Sequence, residues 1–296
     1  MKTIFFGTTK DQQETLEQLL PDVEKTFFEK SIAEDYKEKA EDAEIICTFV
    51  GSKITKEVID LFPNLKLITT RSTGFDHIDT EYAKSKNIIV ENVPAYGAHT
   101  VAEFTFALMF ALARKPAKAY RKLRGAESYE IKDFEGFDLF GKTLGVVGTG
   151  KIGKNVIRGA KGFGMKVIAY DPYPNEKLAS EIGYTYHSLE EVLKKADILT
   201  IHAPYRKETH HLINKDNIGL LKEGSRIINT ARGKIIETEA LLSALETGKV
   251  AGAALDVLEG ERDMQKSHTD FLHHPERTAH FKLLLENHAL IDSDKV

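Results

Sequence analysis

Residues 142–172 read KTLGVVGTGKIGKNVIRGAKGFGMKVIAYDP and contain a complete strand–turn–helix–strand pattern. Thr143–Val147 is a short apolar run with β-branched residues, which indicates a buried strand. A G-x-G-x-x-G turn follows it, formed by Gly148, Gly150 and Gly153, and leads into a helix of small residues. Residues 167–170 are again apolar and predict a second strand. Together these features predict a βαβ unit, in which a helix connects two parallel strands.

Each glycine of this turn has its own physical role. Gly148 permits the tight turn, Gly150 has no Cβ to hold a pyrophosphate away from the main chain, and Gly153 lets the helix pack close to the strand. The helix N-terminus adds unpaired N–H groups and a partial positive charge for phosphates. A lone G-x-G-x-x-G can be an ordinary glycine-rich loop, but the flanking strand and helix favour dinucleotide binding.

An acidic residue follows the second strand. Asp171 lies 18 residues after Gly153, close to the roughly 20 residues expected for the acid that hydrogen-bonds the adenosine ribose. A carboxylate here repels a 2′-phosphate, and no Arg follows it directly. The sequence therefore predicts NAD rather than NADP as the cofactor.

The composition is that of an ordinary globular protein of more than one domain. The chain has 296 residues, of which 42% are hydrophobic and 29% charged, and its length favours two domains. A net charge of −4 and a pI near 6.3 give no basic surface for nucleic acid or an anionic membrane. We therefore expect neither of these partners.

Several kinds of segment and motif are missing from the sequence. Its first apolar run is too short for a signal peptide, and the longest, residues 104–113, is too short to span a bilayer. The single cysteine, Cys47, excludes a disulfide framework and is expected to be a small buried residue. There is no H-E-x-x-H motif. These observations predict a cytoplasmic protein without a metal site.

The first 98 residues alternate between strand-like and helix-like segments. Strands are predicted at residues 3–6, 23–28, 44–50, 66–70 and 88–91, and helices near residues 11–20, 32–40, 55–61 and 80–85. Such alternation is typical of a doubly wound parallel sheet. Residues 1–98 are therefore predicted to form one domain and residues 99–296 another.

Two polar, tightly turned segments of the first domain are candidates for function. One is RSTGFDHID at residues 71–79, which follows a predicted strand where ligands of such sheets bind. Main-chain N–H groups at Ser72, Thr73 and Gly74 could hold a carboxylate; alternatively this is a simple glycine turn in which Asp79 caps the next helix. The other is NVPAYGAHTVAE at residues 92–103, the predicted hinge and domain boundary.

The second domain is predicted to begin with a long helix at residues 101–114. Because this helix is apolar on nearly every side, it must be buried, either in the core of the chain or against a second subunit. Residues 115–140 carry mixed charges and are expected to form a solvated surface. Further strands are predicted at residues 198–202, 226–230 and 250–257, with helices beginning near Ser188, Asn214 and Glu237. This order predicts a second doubly wound sheet.

Polar clusters follow each of these later strands, at the edge of the sheet where a dinucleotide lies. They read HAP at residues 202–204, NTARG at residues 229–233 and DVLEGE at residues 256–261. Arg232 stands among small neighbours at a strand end, which suits bidentate capture of a carboxylate. A surface ion pair is the simpler alternative for this residue.

Five motifs of the chain resemble one known family. TRSTGFDHID, NVPAY, GTGKIG, NTARGK and LDVLEGE occur in the order and spacing found in the D-isomer-specific 2-hydroxyacid dehydrogenases. Tyr96 and the Glu-Gly-Glu ending are most similar to the D-lactate dehydrogenases of that family. The resemblance implies a flavodoxin-like substrate domain, a Rossmann NAD-binding domain that begins with a dimer arm, and a homodimer. It also implies interconversion of a D-2-hydroxy acid, such as D-lactate, and its 2-keto acid.

The resemblance assigns roles to individual residues. Arg232 would bind the substrate carboxylate and polarise the carbonyl, and Glu261 matches the carboxylate that pairs with the catalytic histidine and raises its pKa. The substrate contacts are matched by Ser72, Thr73, Gly74 and Tyr96. The cofactor contacts are matched by Gly148, Gly150, Lys151, Ile152, Gly153, Asp171, Ala203, Pro204, Thr209, Thr230, Ala231, Arg232 and Asp256.

The chain departs from the family pattern at the proton-donor histidine. In the family this residue lies in a Thr-Pro-His type segment after a further strand, and a last helix returns to the first domain; here that strand would begin about where Val296 ends the sequence. We therefore expect an incomplete chain with weak or no turnover, because loss of a general acid typically costs about 10²–10⁴-fold in rate.

None of the histidines in the sequence is expected to replace the missing one. Those beyond Glu261 are expected at the surface, in a polar stretch without a strand. His77 and His202 are expected to line the pocket or to cap main-chain groups, and His210 and His211 to lie in a loop.

Two other functions remain open. A non-catalytic NAD-binding scaffold or sensor would keep both domains without the proton donor, although such a protein has little physical reason to retain Arg232 and Glu261. A glycerate- or phosphoglycerate-type substrate is the other alternative. Tyr96 and the lack of further basic residues near Arg71 count against it.

Overall fold

The chain folds into two compact units, Met1–Gly97 and Ala98–Val296. The computed structural model describes residues 1–32, 42–125, 130–261, 277–291, 293 and 295–296, with the backbone alone at residue 133 and residues 277–281. Each unit is built on one β-sheet in which all described neighbouring strands are parallel. The predicted α/β class with two parallel sheets is confirmed.

The first unit has a five-stranded sheet in the order β2-β1-β3-β4-β5. Its strands are β1 (Thr3–Phe6), β2 (Lys25–Phe28), β3 (Ile45–Thr48), β4 (Leu67–Thr70) and β5 (Ile89–Asn92). Between them in sequence lie α1 (Lys10–Leu19), α2 (Lys56–Asp60) and α3 (Thr80–Ser85). Successive residues Ile4, Phe5 and Phe6 are all buried, which is typical of a parallel strand covered on both faces.

The predicted strands of the first unit are present with different bounds. Val23 precedes β2 because its N–H closes a turn onto Leu20 O at 3.3 Å. The apolar run of β3 continues to Phe49, whose side chain is exposed and lies in a loop. The helix predicted near residues 32–40 lies almost entirely outside the described residues.

The second unit has a six-stranded sheet in the order β11-β10-β9-β6-β7-β8. Its strands are β6 (Thr143–Val147), β7 (Lys166–Tyr170), β8 (Thr185–Tyr186), β9 (Ile198–Ile201), β10 (Ser225–Asn229) and β11 (Val250–Leu255). Its helices are α4 (Ala98–Arg114), α5 (Pro116–Arg124), α6 (Lys151–Gly162), α7 (Glu176–Ile182), α8 (Leu189–Lys195), α9 (Thr238–Glu246) and α10 (Arg277–Ile291). The winding direction reverses between β6 and β9, beside the glycine-rich turn. Open α/β sheets bind their ligands at such a switch point.

Helix α4 is a core helix that also carries an exposed aromatic surface. It begins at Ala98, earlier than predicted, and packs against α6, β10 and β11. Ala102 and Met109 are buried in this contact, whereas Phe104 and Phe110 remain 44% and 37% exposed. The two alternatives for the apolar helix are therefore not exclusive, because the buried side serves the core and the aromatic side is open.

One prediction in the second unit is wrong. The helix expected near Asn214 is only a 3₁₀ turn at Ile218–Leu220. Asn217 Oδ1 accepts the Asn214 N–H at 2.9 Å, and such side-chain bonds compete with a regular helix.

The polar stretch beyond Glu261, in which no strand was expected, contains α10, in which Leu290 is buried. The apolar and polar residues of α10 do not separate onto two faces, so its sequence shows no amphipathic periodicity.

Candidate functional site

The glycine-rich turn between β6 and α6 requires its glycines for different reasons. Gly148 has a φ of 93°, and a Cβ there would lie 2.8 Å from main-chain atoms of His202 and Ala203. A Cβ on Gly153 would lie 2.0 Å from Gly148 O, so the helix packs directly on the turn. By contrast, no described atom lies within 4 Å of the Cβ position of Gly150. The space beside Gly150 is therefore open to a ligand.

The N-terminus of α6 has free main-chain donors. Gly150 is its N-cap, and no side chain caps the helix. Within the described ranges, no acceptor is bonded to the main-chain N–H groups of Lys151, Ile152 and Gly153. Such donors, together with the helix dipole, suit an anionic phosphate. The turn therefore fits the pyrophosphate of a dinucleotide.

Asp171 directly follows β7 and is bonded to the glycine-rich turn. Its Oδ2 accepts from Thr149 N at 2.7 Å and Thr149 Oγ1 at 2.9 Å, while Oδ1 accepts from Tyr173 N at 2.9 Å. Thr149 Oγ1 also lies 2.8 Å from Tyr186 Oη, which is 2.9 Å from Tyr184 Oη. Burial raises the pKa of Tyr184, so this phenol stays protonated. The sequence did not reveal this network, which fixes the carboxylate beside the turn.

We expect Asp171→Asn to weaken NADH binding and to reduce the preference for NADH over NADPH. Asparagine can still accept the Thr149 N–H, but it removes the charge that repels a 2′-phosphate. A hydrogen bond to a charged group contributes about 1.5–3 kcal/mol, so a loss of about tenfold in NADH affinity is expected. Fluorescence titrations with both cofactors measure it. An unchanged ratio of the two dissociation constants would contradict this role for Asp171.

The loop after β9 contains three predicted cofactor contacts. Ala203 and Pro204 follow His202, the first residue after the strand, and Thr209 ends a 3₁₀ turn at Lys207–Thr209. Thr209 Oγ1 accepts from Arg206 N at 2.7 Å and donates to Pro204 O at 2.8 Å. The hydroxyl therefore closes the loop and holds these residues at the carboxyl end of β9.

Asn229 organises the turn after β10, a role that the sequence did not reveal. This buried side chain donates from Nδ2 to Arg232 O at 3.0 Å and accepts from Ala231 N at 3.0 Å. Its own carbonyl accepts from Asp256 N at 3.0 Å. Thr230 is buried, and the half-buried Arg232 donates from Nη1 to Ala231 O at 2.7 Å. The predicted residues after β10 and β11 thus lie together at one edge of the sheet.

Glu261 lies in the turn after β11, next to the segment of Arg232. A Cβ on Gly233 would lie 2.0 Å from Leu258 C, so the two main chains touch. Glu261 Oε2 accepts from Leu258 N at 3.1 Å. In the part of the chain that the structure describes, no histidine is hydrogen-bonded to Glu261. The Arg232 and Glu261 segments therefore meet, and the described residues supply no histidine for this carboxylate.

His202 and His77 are hydrogen-bonded to threonine hydroxyls. His202 Nε2 lies 2.9 Å from Thr200 Oγ1, and its Nδ1 lies 3.5 Å from Thr230 Oγ1. In the first unit, His77 Nε2 lies 3.2 Å from Thr70 Oγ1. Burial lowers the pKa of His202 to about 3. His202 is therefore neutral near pH 7 and can act only as an uncharged group.

Acid should destabilise the chain through His202. The pKa of this imidazole is about 3 in the folded chain and 6.5 in the unfolded chain, where the ring is exposed to water. Between these two pH values, only the unfolded chain takes up the proton. Above pH 6.5 the titration of His202 does not reduce the free energy of unfolding. As the pH falls from 6.5 toward 3, that free energy decreases by at most about 1.4 kcal/mol per pH unit. Lowering the pH from about 7 to about 5 should therefore reduce the free energy of unfolding by about 2 kcal/mol more in the parent than in His202→Gln, as measured by urea unfolding. Equal losses in the two proteins would contradict the buried, neutral state.

In the first unit, residues 72–74 leave main-chain donors free. No acceptor among the described residues is bonded to the N–H groups of Ser72, Thr73 or Gly74. The hydroxyls are used, since Ser72 Oγ donates to Gly74 O at 2.7 Å and Thr73 Oγ1 donates to Val93 O at 3.0 Å. Asp79 also caps α3. The Asp79 cap is therefore present in this turn, and its N–H groups leave carboxylate binding as a prediction.

Two other residues near this turn differ in role. Arg71 holds the sheet edge together, because its Nη2 donates to Phe6 O at 2.6 Å and Gly7 O at 2.8 Å. Tyr96 is 66% exposed. It follows Ala95, whose φ of 74° lies in the left-handed region, and such strain is concentrated at functional sites.

Two kinds of feature are not found in the described ranges. None of the helices there has the length and apolar character that a bilayer crossing requires. No group of three His, Cys, Asp or Glu side chains there is arranged to hold a metal ion.

Comparison with known proteins identifies the family. Residues 106–283 match the family described as D-isomer specific 2-hydroxyacid dehydrogenase, NAD binding domain. The chain belongs to this family. NAD is the cofactor of the matched domain, and the prediction of NAD from Asp171 and the glycine-rich turn is confirmed.

Individual members of the dehydrogenase family differ in substrate. The chain is 42% identical over 229 residues to the D-3-phosphoglycerate dehydrogenase of Methanocaldococcus jannaschii, covering 77% of this chain but only 44% of that protein. It is 34% identical to the D-lactate dehydrogenase of Escherichia coli, covering 89% of this chain and 81% of the relative. The structure of the D-lactate dehydrogenase from Aquifex aeolicus, complexed with NAD and lactic acid, superposes with a TM-score of 0.90 at 36% identity, covering 99% of this chain and 86% of that one.

Proposed function

We propose that this chain is an NAD-dependent oxidoreductase that interconverts D-lactate and pyruvate. The observation that carries the proposal is Arg232, a half-buried guanidinium on the same sheet edge as the glycine-rich turn. A guanidinium presents a planar fork of donors that matches a carboxylate. Beside a dinucleotide site, such a guanidinium would bind the carboxylate of a 2-hydroxy or 2-keto acid.

We assign cofactor binding to the second unit. The open space at Gly150 and the free N–H groups at the start of α6 would hold the pyrophosphate, and Asp171 would bind the adenosine ribose. The remaining proposed contacts are Gly148, Lys151, Ile152, Gly153, Ala203, Pro204, Thr209, Thr230, Ala231, Arg232 and Asp256. When bound, the nicotinamide exchanges a hydride with C2 of the substrate.

We propose substrate-binding residues for each unit separately, beginning with the second. Arg232 would bind the carboxylate and polarise the C2 oxygen, so its charge acts where negative charge develops. In the first unit, the free N–H groups of Ser72, Thr73 and Gly74 would donate to carboxylate oxygens, and Tyr96 would contact the substrate. This makes residues 1–98 the substrate domain and residues 99–296 the NAD-binding domain.

The reaction also moves a proton, for which Glu261 has the proposed supporting role. Oxidation of the hydroxy acid transfers hydride from C2 to NAD and releases the hydroxyl proton, and reduction reverses both steps. A carboxylate near a histidine raises its pKa and keeps it charged for donation. Because no described histidine is bonded to Glu261, we propose that the acid lies outside the described residues.

The choice of lactate rests on similarity and on Tyr96. Two of the relatives above are D-lactate dehydrogenases, and one of those structures contains lactic acid. A phosphoglycerate substrate would need further basic residues for its phosphate, and Arg71 is already bonded to main-chain carbonyls. Pyruvate needs no such charge.

Steady-state reduction of 2-keto acids by NADH tests the proposal. Pyruvate, glyoxylate and 3-phosphohydroxypyruvate would be compared on the 296-residue chain and on a fusion that adds, after Val296, the C-terminal segment of a family member with its histidine. We expect the fusion to turn over pyruvate at least about 100-fold faster than the chain alone. NADH binding by both proteins without turnover of any keto acid would instead favour a non-catalytic NAD-binding scaffold, which the lack of a histidine bonded to Glu261 among the described residues also allows.

We further propose a homodimer located in the cytoplasm. The exposed Phe104 and Phe110 of α4, together with Tyr120 and Leu123 of α5, are aromatic and apolar groups available to a second subunit. Sedimentation of the purified chain measures this association. The location rests on the single cysteine of the sequence.

A further inference from the structure

His211 connects two segments that carry proposed catalytic residues. It follows the loop after β9, and its main-chain N–H donates to Lys234 O at 2.9 Å, two residues beyond Arg232. Its side chain reaches the other segment, since Nε2 lies 2.9 Å from Glu259 Oε1, two residues before Glu261. One residue thus contacts the segments that follow β10 and β11.

Three hydrogen bonds hold Glu259 between these segments. Its side chain is only 13% exposed, and a carboxylate in such a place is costly unless it is paired. Oε1 accepts from His211, and Oε2 accepts from Thr238 Oγ1 at 3.1 Å. Its main-chain carbonyl accepts from Asn287 Nδ2 at 2.8 Å. The position of Glu259 is therefore determined by three different elements of the second unit.

The position of Glu259 in turn determines that of Glu261. Glu261 folds back on the same turn, with its Oε2 accepting from Leu258 N and its own N–H donating to Leu258 O at 3.3 Å. Because the main chain of Gly233 lies against that of Leu258, the turn that carries Glu261 cannot move closer to the Arg232 segment. A shift of Glu259 would therefore move Glu261 relative to the Arg232 segment.

The main chain of His211 is itself strained. Its φ of 48° lies in the left-handed region, which is unfavourable for a residue with a Cβ. Such a conformation persists only where the surroundings determine it. The described contacts of His211 include the bonds to Lys234 and Glu259, a bond from Asn214 Nδ2 to His211 O at 2.9 Å and the stacked ring of His210.

We propose that His211 is a positioning residue, which acts through Glu259 to hold Glu261 at a fixed place against the Arg232 segment. This inference rests on the proposed function of Arg232 and Glu261, although its structural part can be tested separately. His211 itself is not proposed to touch the substrate. Its substitution should therefore weaken binding and turnover of the keto acid without changing the affinity for NADH.

Two substitutions at His211 differ in whether the new side chain can reach Glu259. The amide nitrogen of His211→Gln can stand near the position of Nε2 and donate to Glu259. His211→Asn tolerates the left-handed conformation but is too short to reach. His210→Asn separates the bond to Glu259 from ring stacking, because the exposed His210 ring stacks on that of His211, with ring centroids 4.0 Å apart, but does not contact Glu259.

The test combines NADH titration, binding of oxamate to the NADH complex, and amide hydrogen exchange of residues 258–261. Oxamate is an unreactive analogue of pyruvate. We expect His211→Asn to raise the oxamate dissociation constant about 10- to 100-fold, to leave the NADH constant within about twofold of the parent, and to speed exchange in this turn. His211→Gln and His210→Asn should behave like the parent. In the fusion that turns over, kcat/KM for pyruvate should fall in parallel for His211→Asn alone.

Unchanged oxamate binding and unchanged exchange in His211→Asn would overturn the proposal, as would equal losses for His211→Gln. A parent chain that binds NADH but not oxamate would refute the proposed function instead. The exchange measurement would then still decide on His211, because faster exchange only in His211→Asn supports its hold on the turn and equal exchange in all variants overturns it.

Discussion

Arg232→Ala is expected to abolish detectable oxamate binding to the NADH complex while leaving NADH binding largely intact. Arg232 is the proposed partner of the substrate carboxylate, and two charge-assisted hydrogen bonds would be lost together. Their loss should cost about 3–4 kcal/mol, or about 100- to 1,000-fold in affinity. In the fusion with turnover, kcat/KM for pyruvate should fall at least as far, since the same charge polarises the carbonyl.

Two further variants separate the fork of Arg232 from its charge. Arg232→Lys keeps the charge but not the paired donors, so it should recover only part of the lost affinity. Arg226→Lys is the control, because Arg226 lies in strand β10, which precedes Arg232, and its guanidinium stands 3.7 Å from the ring centre of Phe137. It should bind oxamate like the parent. Parent-like binding by Arg232→Ala would contradict the assignment of the carboxylate site.

Gly150→Ala is expected to lose NADH binding with little loss of stability. No described atom lies within 4 Å of a Cβ at this position, so the folded chain accommodates the methyl group. The methyl would occupy the space assigned to the pyrophosphate and keep it from the N–H groups of α6. Loss of those charge-assisted bonds should weaken NADH binding about 100-fold.

Gly162→Ala is the matched control for this substitution. Gly162 ends the same helix α6, and the space around its Cβ position is equally open among the described atoms. Gly162→Ala should unfold at the same urea concentration as the parent or slightly higher, since alanine favours a helix by up to about 1 kcal/mol over glycine. Gly150 is the N-cap of α6, where alanine is less favourable than glycine, so Gly150→Ala should lose at most about 1 kcal/mol of stability. Only Gly150→Ala should lose NADH. Equal NADH affinity in the two variants would show that the pyrophosphate does not lie there.

The features that the sequence predicted correctly are local ones. Strand β6, the glycine-rich turn and Asp171 lie within about 30 consecutive residues, and the glycine spacing itself encodes their geometry. Gly148 and Gly153 show why, because a Cβ on either would collide with the turn or its neighbours. Local periodicity also gave most strands of both sheets, with errors of a few residues at their ends.

What the sequence did not predict depends on contacts between distant residues. His211 and Glu259 are separated by 48 positions, and nothing in either segment indicates that they meet. Asn229 was visible in its motif, but its two bonds around Arg232 appear only in three dimensions. Helix α10 escaped notice because its burial at Leu290 depends on packing against α9 rather than on a clear apolar stripe.

The configuration of the product tests the central claim most directly. The fusion would be supplied with NADH and pyruvate, and the lactate formed would be separated into its two enantiomers and compared with the NADH consumed. We predict one D-lactate for each NADH oxidised, with the same product formed far more slowly by the 296-residue chain. Formation of L-lactate, or NADH binding by both proteins with no reduction of pyruvate, would contradict the account.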